Sequence, residues 1–177
     1  SLMGSFLGCY ICDNREIKFY VLHSKSMITE SNIFGVSSYV RSAGKLKFCD
    51  FNLTQVASCS KCGFSSNEKE HFKRMKTSVG NFAVDDFKKG WEEKISTLLK
   101  KAKDSGEKFY EEERDLQQGI ISYDLAISTF DQMVSIAKDD QKKGAALRKQ
   151  ASMLMIQAEL LMENKQRDEA EKNLQKV

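Results

Sequence analysis

Two Cys-x-x-Cys pairs constrain this chain more than any other feature: Cys9 and Cys12 form one, Cys59 and Cys62 the other, with 46 residues between them. Two intervening residues let both thiolates of a turn point at one ion, and two such turns brought together complete a tetrahedral shell around zinc. Any fold must therefore bring positions 9–12 and 59–62 into one place. Gly63, directly after the second pair, suits a knuckle turn that needs a positive φ angle. The separation exceeds that of many short zinc fingers and fits a ribbon with a segment inserted in its middle. One structural zinc ion on Cys9, Cys12, Cys59 and Cys62 is the expected cofactor. A shell of four thiolates leaves no position for water, so this site is expected to fold the module and not to catalyse. Two alternatives stay open. A single Cys-x-x-Cys can exchange disulfides, against which the duplication counts, and the cysteines can pair as structural disulfides, against which a reducing compartment counts.

All five cysteines precede position 70, and long periodic helical patterns follow it, so the expected division is a zinc-ribbon module over 1–70 and a helical region over 71–177. The expected fold class is α+β, mostly α. Proline is absent from the whole chain, which removes the commonest helix breaker and makes long helices easier to form. In the first half, 17–22 (Ile-Lys-Phe-Tyr-Val-Leu) is rich in β-branched and aromatic residues and predicts a strand; 45–49 is a weaker candidate. The stretch between them, with Gly35, Gly44 and several serines and asparagines, predicts irregular or briefly structured chain.

In the second half, Phe87, Trp91, Ile95, Leu98 and Ala102 recur at three- and four-residue steps and predict one helix over 84–103, with Gly106 as its stop. A longer helix is predicted over 107–138, its buried stripe formed by Ile120, Tyr123, Ile127, Phe130, Val134 and Ala137, and its acidic start at 111–113. A third, over 141–163, carries Leu147, Ala151, Leu154, Ala158 and Leu161, widened by Met153, Ile156 and Leu160. A connector at 164–166 precedes a last helical segment from 167, with Ala170 and Leu174 inward. Asp85-Asp86 and Asp139-Asp140 are adjacent in sequence, point to different helix faces, and read as caps or solvated residues.

The remaining chemistry is sparse. Cys49 reads as a small buried hydrophobe, with an alternate ligand or a reactive thiol as the other readings; His23 and His71 read as surface residues, His71 being the better placed of the two to replace a cysteine. Twenty-eight basic residues stand against 25 acidic ones, a net charge of +3, so no strong field points to nucleic acid or an anionic membrane. No apolar stretch reaches the roughly 20 residues of a membrane-spanning helix, and the start lacks the pattern of a signal peptide. Phe6-Leu7-Gly8-Cys9 faintly resembles a lipoprotein processing site, but the apolar segment that should precede it is missing. A cytoplasmic protein without membrane contact is the expectation. There is no Gly-rich phosphate loop, no His-Glu-x-x-His and no nucleophile elbow, so the chain is not expected to be an enzyme.

Cys9-Tyr10-Ile11-Cys12, Leu22-His23-Ser24-Lys25, Phe48-Cys49-Asp50 and Cys59-Ser60-Lys61-Cys62-Gly63-Phe64-Ser65-Ser66 follow one another in the order that resembles an uncharacterised bacterial family, domain of unknown function 2225. The stretch 145–151 with 164–174 looks like that family's tetratricopeptide-like helical pair. Tyr10 and Ser60 stand where the family often has proline, and Asp13 where it has the first knuckle's glycine, which leaves the ligands intact and marks a divergent member. The resemblance implies architecture and no reaction. The expected function is a non-catalytic, zinc-stabilised protein-interaction module whose helical face holds a protein partner. So few helix pairs need a cap, which a homodimer or the zinc module supplies. Two alternatives are a nucleic-acid binder and a thiol-based redox sensor. The first would use Lys45, Lys47, Lys61, Lys69, Lys73, Arg74 and Lys76, with Phe64 and Phe72 stacking on bases unless they are core; the second would use Cys49 beside a labile zinc site.

Overall fold

The computed structural model describes residues 2–23, 27–45, 47–72, 83–111 and 113–177. The architecture is α+β and mostly helical, with three small antiparallel hairpins in the first half and a helical array in the second. Strands β1 (Leu2–Leu7) and β2 (Ile17–Leu22) pair in the register Leu2↔Leu22 to Leu7↔Ile17 and hold the first Cys-x-x-Cys in their connection. Along β2 the side chains alternate: Ile17 and Phe19 are buried, while Lys18 turns outward to pair with Glu111. The sequence reading missed β1, whose middle is Gly4-Ser5. Gly4 lies opposite Tyr20, and the tyrosine ring crosses it so closely that a Cβ at position 4 would sit 3.0 Å from Cε1.

The inserted segment is more regular than its composition suggests. Strands β3 (Met27–Ser31) and β4 (Ser37–Ser42) form a second hairpin, closed by Asn32, whose side-chain oxygen accepts from the N–H groups of Phe34 and Val36 at 2.9 Å each. The weak strand candidate at 45–49 is not a strand at its described positions; Asp50, itself extended, caps a one-turn helix α1 (Phe51–Thr54). Strands β5 (Ala57–Ser58) and β6 (Ser65–Ser66) then frame the second Cys-x-x-Cys.

The predicted helix over 84–103 is two helices, α2 (Val84–Lys88) and α3 (Trp91–Asp104), divided where Gly90 adopts φ 71°. The break is held from outside: the Gln132 side-chain amide donates to the carbonyls of Phe87 at 2.8 Å and Lys89 at 3.1 Å. The next helix, α4 (Leu116–Ile136), starts nine residues later than the spacing suggests. Residues Glu107–Tyr110 form a 3-10 turn instead, and Asp115 caps α4 through a reciprocal pair with Gln118. Helices α5 (Asp140–Glu163) and α6 (Arg167–Lys176) agree closely with their predicted spans, and Asp139 caps α5 as its position implied. Leu147 and Leu174 are exposed, against expectation: α5 turns that part of its stripe to solvent, and α6 buries Ala170 and Asn173.

Helix α4 is the spine, packing against α3 and α5, and against α1 and the second knuckle hairpin. Its polar residues tie these parts together. Tyr123 donates to the Asn52 carbonyl at 2.7 Å, and Thr129 accepts from the Ser65 N–H at 3.1 Å. One connected set of buried side chains runs from Leu7, Ile17 and Phe19 through Phe64 and Phe87 to Phe130, Leu161 and Ala170. Within it a row of aromatic rings links the hairpins to the helices: Phe19 to Phe72 at 6.0 Å between centroids, Phe72 to Phe64 at 5.5 Å, Phe64 to Phe87 at 5.6 Å and Phe87 to Trp91 at 4.7 Å. Phe64 and Phe72 are therefore core residues and not base-stacking surfaces.

Candidate metal centre

The four cysteine sulfurs of positions 9, 12, 59 and 62 lie within 4.8 Å of one another, and none is in a disulfide. Cys9 Sγ is 3.5 Å from Cys62 Sγ, and Cys12 Sγ is 3.5 Å from Cys59 Sγ. Thiolates about 2.3 Å from a tetrahedral ion stand ~3.8 Å apart, so the donor set and its spacing fit one bound metal ion. Cys9 and Cys59 are fully buried, Cys62 is half-buried and Cys12 is exposed, which leaves the centre approachable from one side only.

The two turns share one design. In the first, the Cys9 N–H donates to the Asn14 carbonyl at 2.7 Å; in the second, the Cys59 N–H donates to the Phe64 carbonyl at 2.8 Å. Each chain reversal requires a left-handed residue one position after its second cysteine: Asp13 has φ 58° and Gly63 has φ 77°. Gly63 is expected from sequence, and aspartate is among the few other residues that tolerate this region, so the Asp13 departure keeps the knuckle's geometry. Further donors converge on sulfur. The Ile11 N–H reaches Cys9 Sγ at 3.3 Å, and the buried Asn14 side-chain amide reaches Cys59 Sγ at 3.5 Å. Asn14 and Trp91 are the site residues that sequence reasoning missed; the Trp91 indole N–H donates to the Cys62 carbonyl at 2.8 Å and fixes the second knuckle on α3.

Electrostatics among the thiols are one-sided. Cys59 is held far below its ordinary range, first by its hydrogen bond with Cys62 and then by that with Cys9. Cys62 and Cys9 are raised, each first through its hydrogen bond with Cys59, and burial adds to both. Four close thiols without a cation thus favour one thiolate among neutral partners, whereas a bound cation favours deprotonation of all.

Other candidate residues fall elsewhere. Cys49 is half-buried with its sulfur 4.0 Å from Thr54 Oγ1, outside the cluster. His71 is no plain surface residue: its ring lies edge-on to Phe130 and its Nδ1 is 2.7 Å from Ser66 Oγ. Burial lowers its pKa, with Glu68 pulling the other way. Lys47 pairs with Glu113, while Lys73, Arg74 and Lys76 of the suggested basic patch lie outside the described residues, as do Ser24 and Lys25. No helix among the described residues is long and apolar enough to cross a membrane.

Fold and site together define a small α+β protein built around paired cysteine knuckles and a helical array. The chain matches, over residues 8–177, the family described as "uncharacterized protein conserved in bacteria", domain of unknown function 2225, and belongs to it. No curated protein and no solved structure matches it.

Proposed function

We propose that this protein is a non-catalytic, cytoplasmic interaction module in which one zinc ion, bound by Cys9, Cys12, Cys59 and Cys62, locks the two knuckles onto the helices. The observation that supports it is the all-cysteine cluster embedded in the shared core: four soft donors suit zinc, and a closed shell has no place for a substrate or a reactive water. Helices α5 and α6 form the tetratricopeptide-like pair, and the exposed side of this array is the surface offered to a protein partner, a second copy of this chain included. The test is elemental mass spectrometry of freshly purified protein, with thiol counting before and after chelation. About one zinc per chain, with cysteines 9, 12, 59 and 62 protected until the metal is removed, is expected. Metal-free protein with disulfides or freely reactive thiols would sink the reading and bring thiol redox chemistry forward.

A further inference from the structure

Beside the second knuckle, Arg114 is 8% exposed and has no carboxylate partner among the described residues. Its guanidinium lies 4.7 Å from the Phe109 ring centroid. Nε donates to the Phe109 carbonyl at 2.6 Å, and Nη1 donates to the carbonyls of Val56 at 2.7 Å and Leu53 at 3.3 Å. Nη2 has no hydrogen-bond partner among the described residues. Of the acidic residues flanking it in sequence, Glu111 pairs with Lys18, Glu113 pairs with Lys47, and Asp115 caps α4 by accepting from the Gln118 N–H. A guanidinium so deeply buried keeps its charge even though burial brings its pKa down to about 10. Carbonyl dipoles solvate such a cation but do not neutralise it, and a buried charge without a counter-charge is costly.

Arg114 lines a cavity of about 300 Å³ between β2, β5 and the 3-10 turn. In the same wall stands Tyr110, whose hydroxyl is buried and has no hydrogen-bond partner among the described residues. Its pKa is pushed up to about 12, first by burial and then by Cys59, so at neutral pH it presents an O–H donor. Ser58 and Ser60 also line the cavity, the Ser58 hydroxyl accepting from Ser65 Oγ at 2.8 Å. Two carboxylates share the rim. Glu111 is held by Lys18, and Glu16 is exposed to water, which screens it.

We propose that this cavity is a binding site for a small oxyanion, a phosphate or carboxylate group, received by the free Nη2 edge of Arg114 and the Tyr110 hydroxyl. Arginine offers a planar fork matched to two oxygens of such a group, and a phenol O–H adds a third directed donor. The anion supplies the missing counter-charge and satisfies both orphan donors. The cavity volume, at the lower end of small-ligand sites, suits the charged group with a short body attached.

The experiment is calorimetric titration and thermal melting of the metal-loaded full chain with inorganic phosphate and with acetate, against sodium chloride at matched ionic strength. Saturable binding of one anion per chain, with a rise in melting temperature beyond that in chloride, is expected; response to phosphate alone assigns a phosphoryl ligand, and response to acetate a carboxylate. Tyr110→Phe keeps the ring and removes only the unpartnered hydroxyl, so it should fold at least as well as wild type and bind the anion about tenfold more weakly. Arg114→Met should abolish binding, and Tyr110→Phe decides the matter if that variant does not fold. Neither anion exceeding chloride, or unchanged affinity in Tyr110→Phe, would overturn the proposal.

Discussion

Asp13 and Gly63 do the same backbone work in the two knuckles with unequal freedom. Gly63 has φ 77°, and a Cβ there would stand 2.8 Å from Ile95 Cγ1, so Gly63→Ala meets both backbone strain and a packed neighbour. A loss of about 2 kcal/mol or more in urea unfolding is expected. Asp13 has no glycine's freedom at φ 58°, so Asp13→Gly should relieve strain and gain up to about 1 kcal/mol in the same assay. His71 supplies a pH signature. Its folded pKa lies below its ordinary value because burial disfavours the charged ring, so the unfolded chain takes up the proton more readily. Stability should therefore hold above the ordinary histidine value near 6.5 and fall as pH drops below it. Comparing urea midpoints at pH 7.5 and 5.5 should show a smaller drop in His71→Gln; an identical drop in both proteins would refute the assignment.

Among the elements, the break between α2 and α3 shows tertiary structure overriding a local pattern. Phe87, Trp91 and Ile95 keep helical spacing across Gly90, and all three are buried, yet the helix does not continue through them. Gly90 permits the turn, and the Gln132 side chain receives the two carbonyls near it. Gln132→Ala removes both donors at once and should cost about 1–2 kcal/mol, read by thermal melting with metal content unchanged. The start of α4 teaches a related lesson. Asp115 and Gln118 form a capping box that the sequence carries openly, but the acidic run at 111–113 resembles an equally good start. Exposed pairs with Lys18 and Lys47 employ Glu111 and Glu113 outside any helix.

At the scale of the whole molecule, the cysteine cluster and the helices share one core, since Cys9 and Cys59 belong to the same buried set as Phe87, Phe130 and Leu161. Removing a metal from the knuckles should thus weaken the helical half as well. Chelation is expected to lower the melting temperature by ~10 °C or more in a single transition seen by both far-ultraviolet circular dichroism and the fluorescence of the sole tryptophan, Trp91. Helices that melt unchanged while the knuckles are lost would show the two halves to be independent. The sequence by itself determined which four cysteines come together, because two Cys-x-x-Cys turns suited to one ion must converge, and it determined α5, whose long apolar periodicity meets no competing signal, and the span of α6, set off by the connector at 164–166. It could not place β1, the break at Gly90 or the knuckle partners Asn14 and Trp91, because those depend on Tyr20, Gln132, Cys59 and Cys62 arriving from other parts of the chain. Only the tertiary structure set the buried charge of Arg114 beside a Tyr110 hydroxyl that has no partner among the described residues, since burial and pairing are properties of packing and not of residue type.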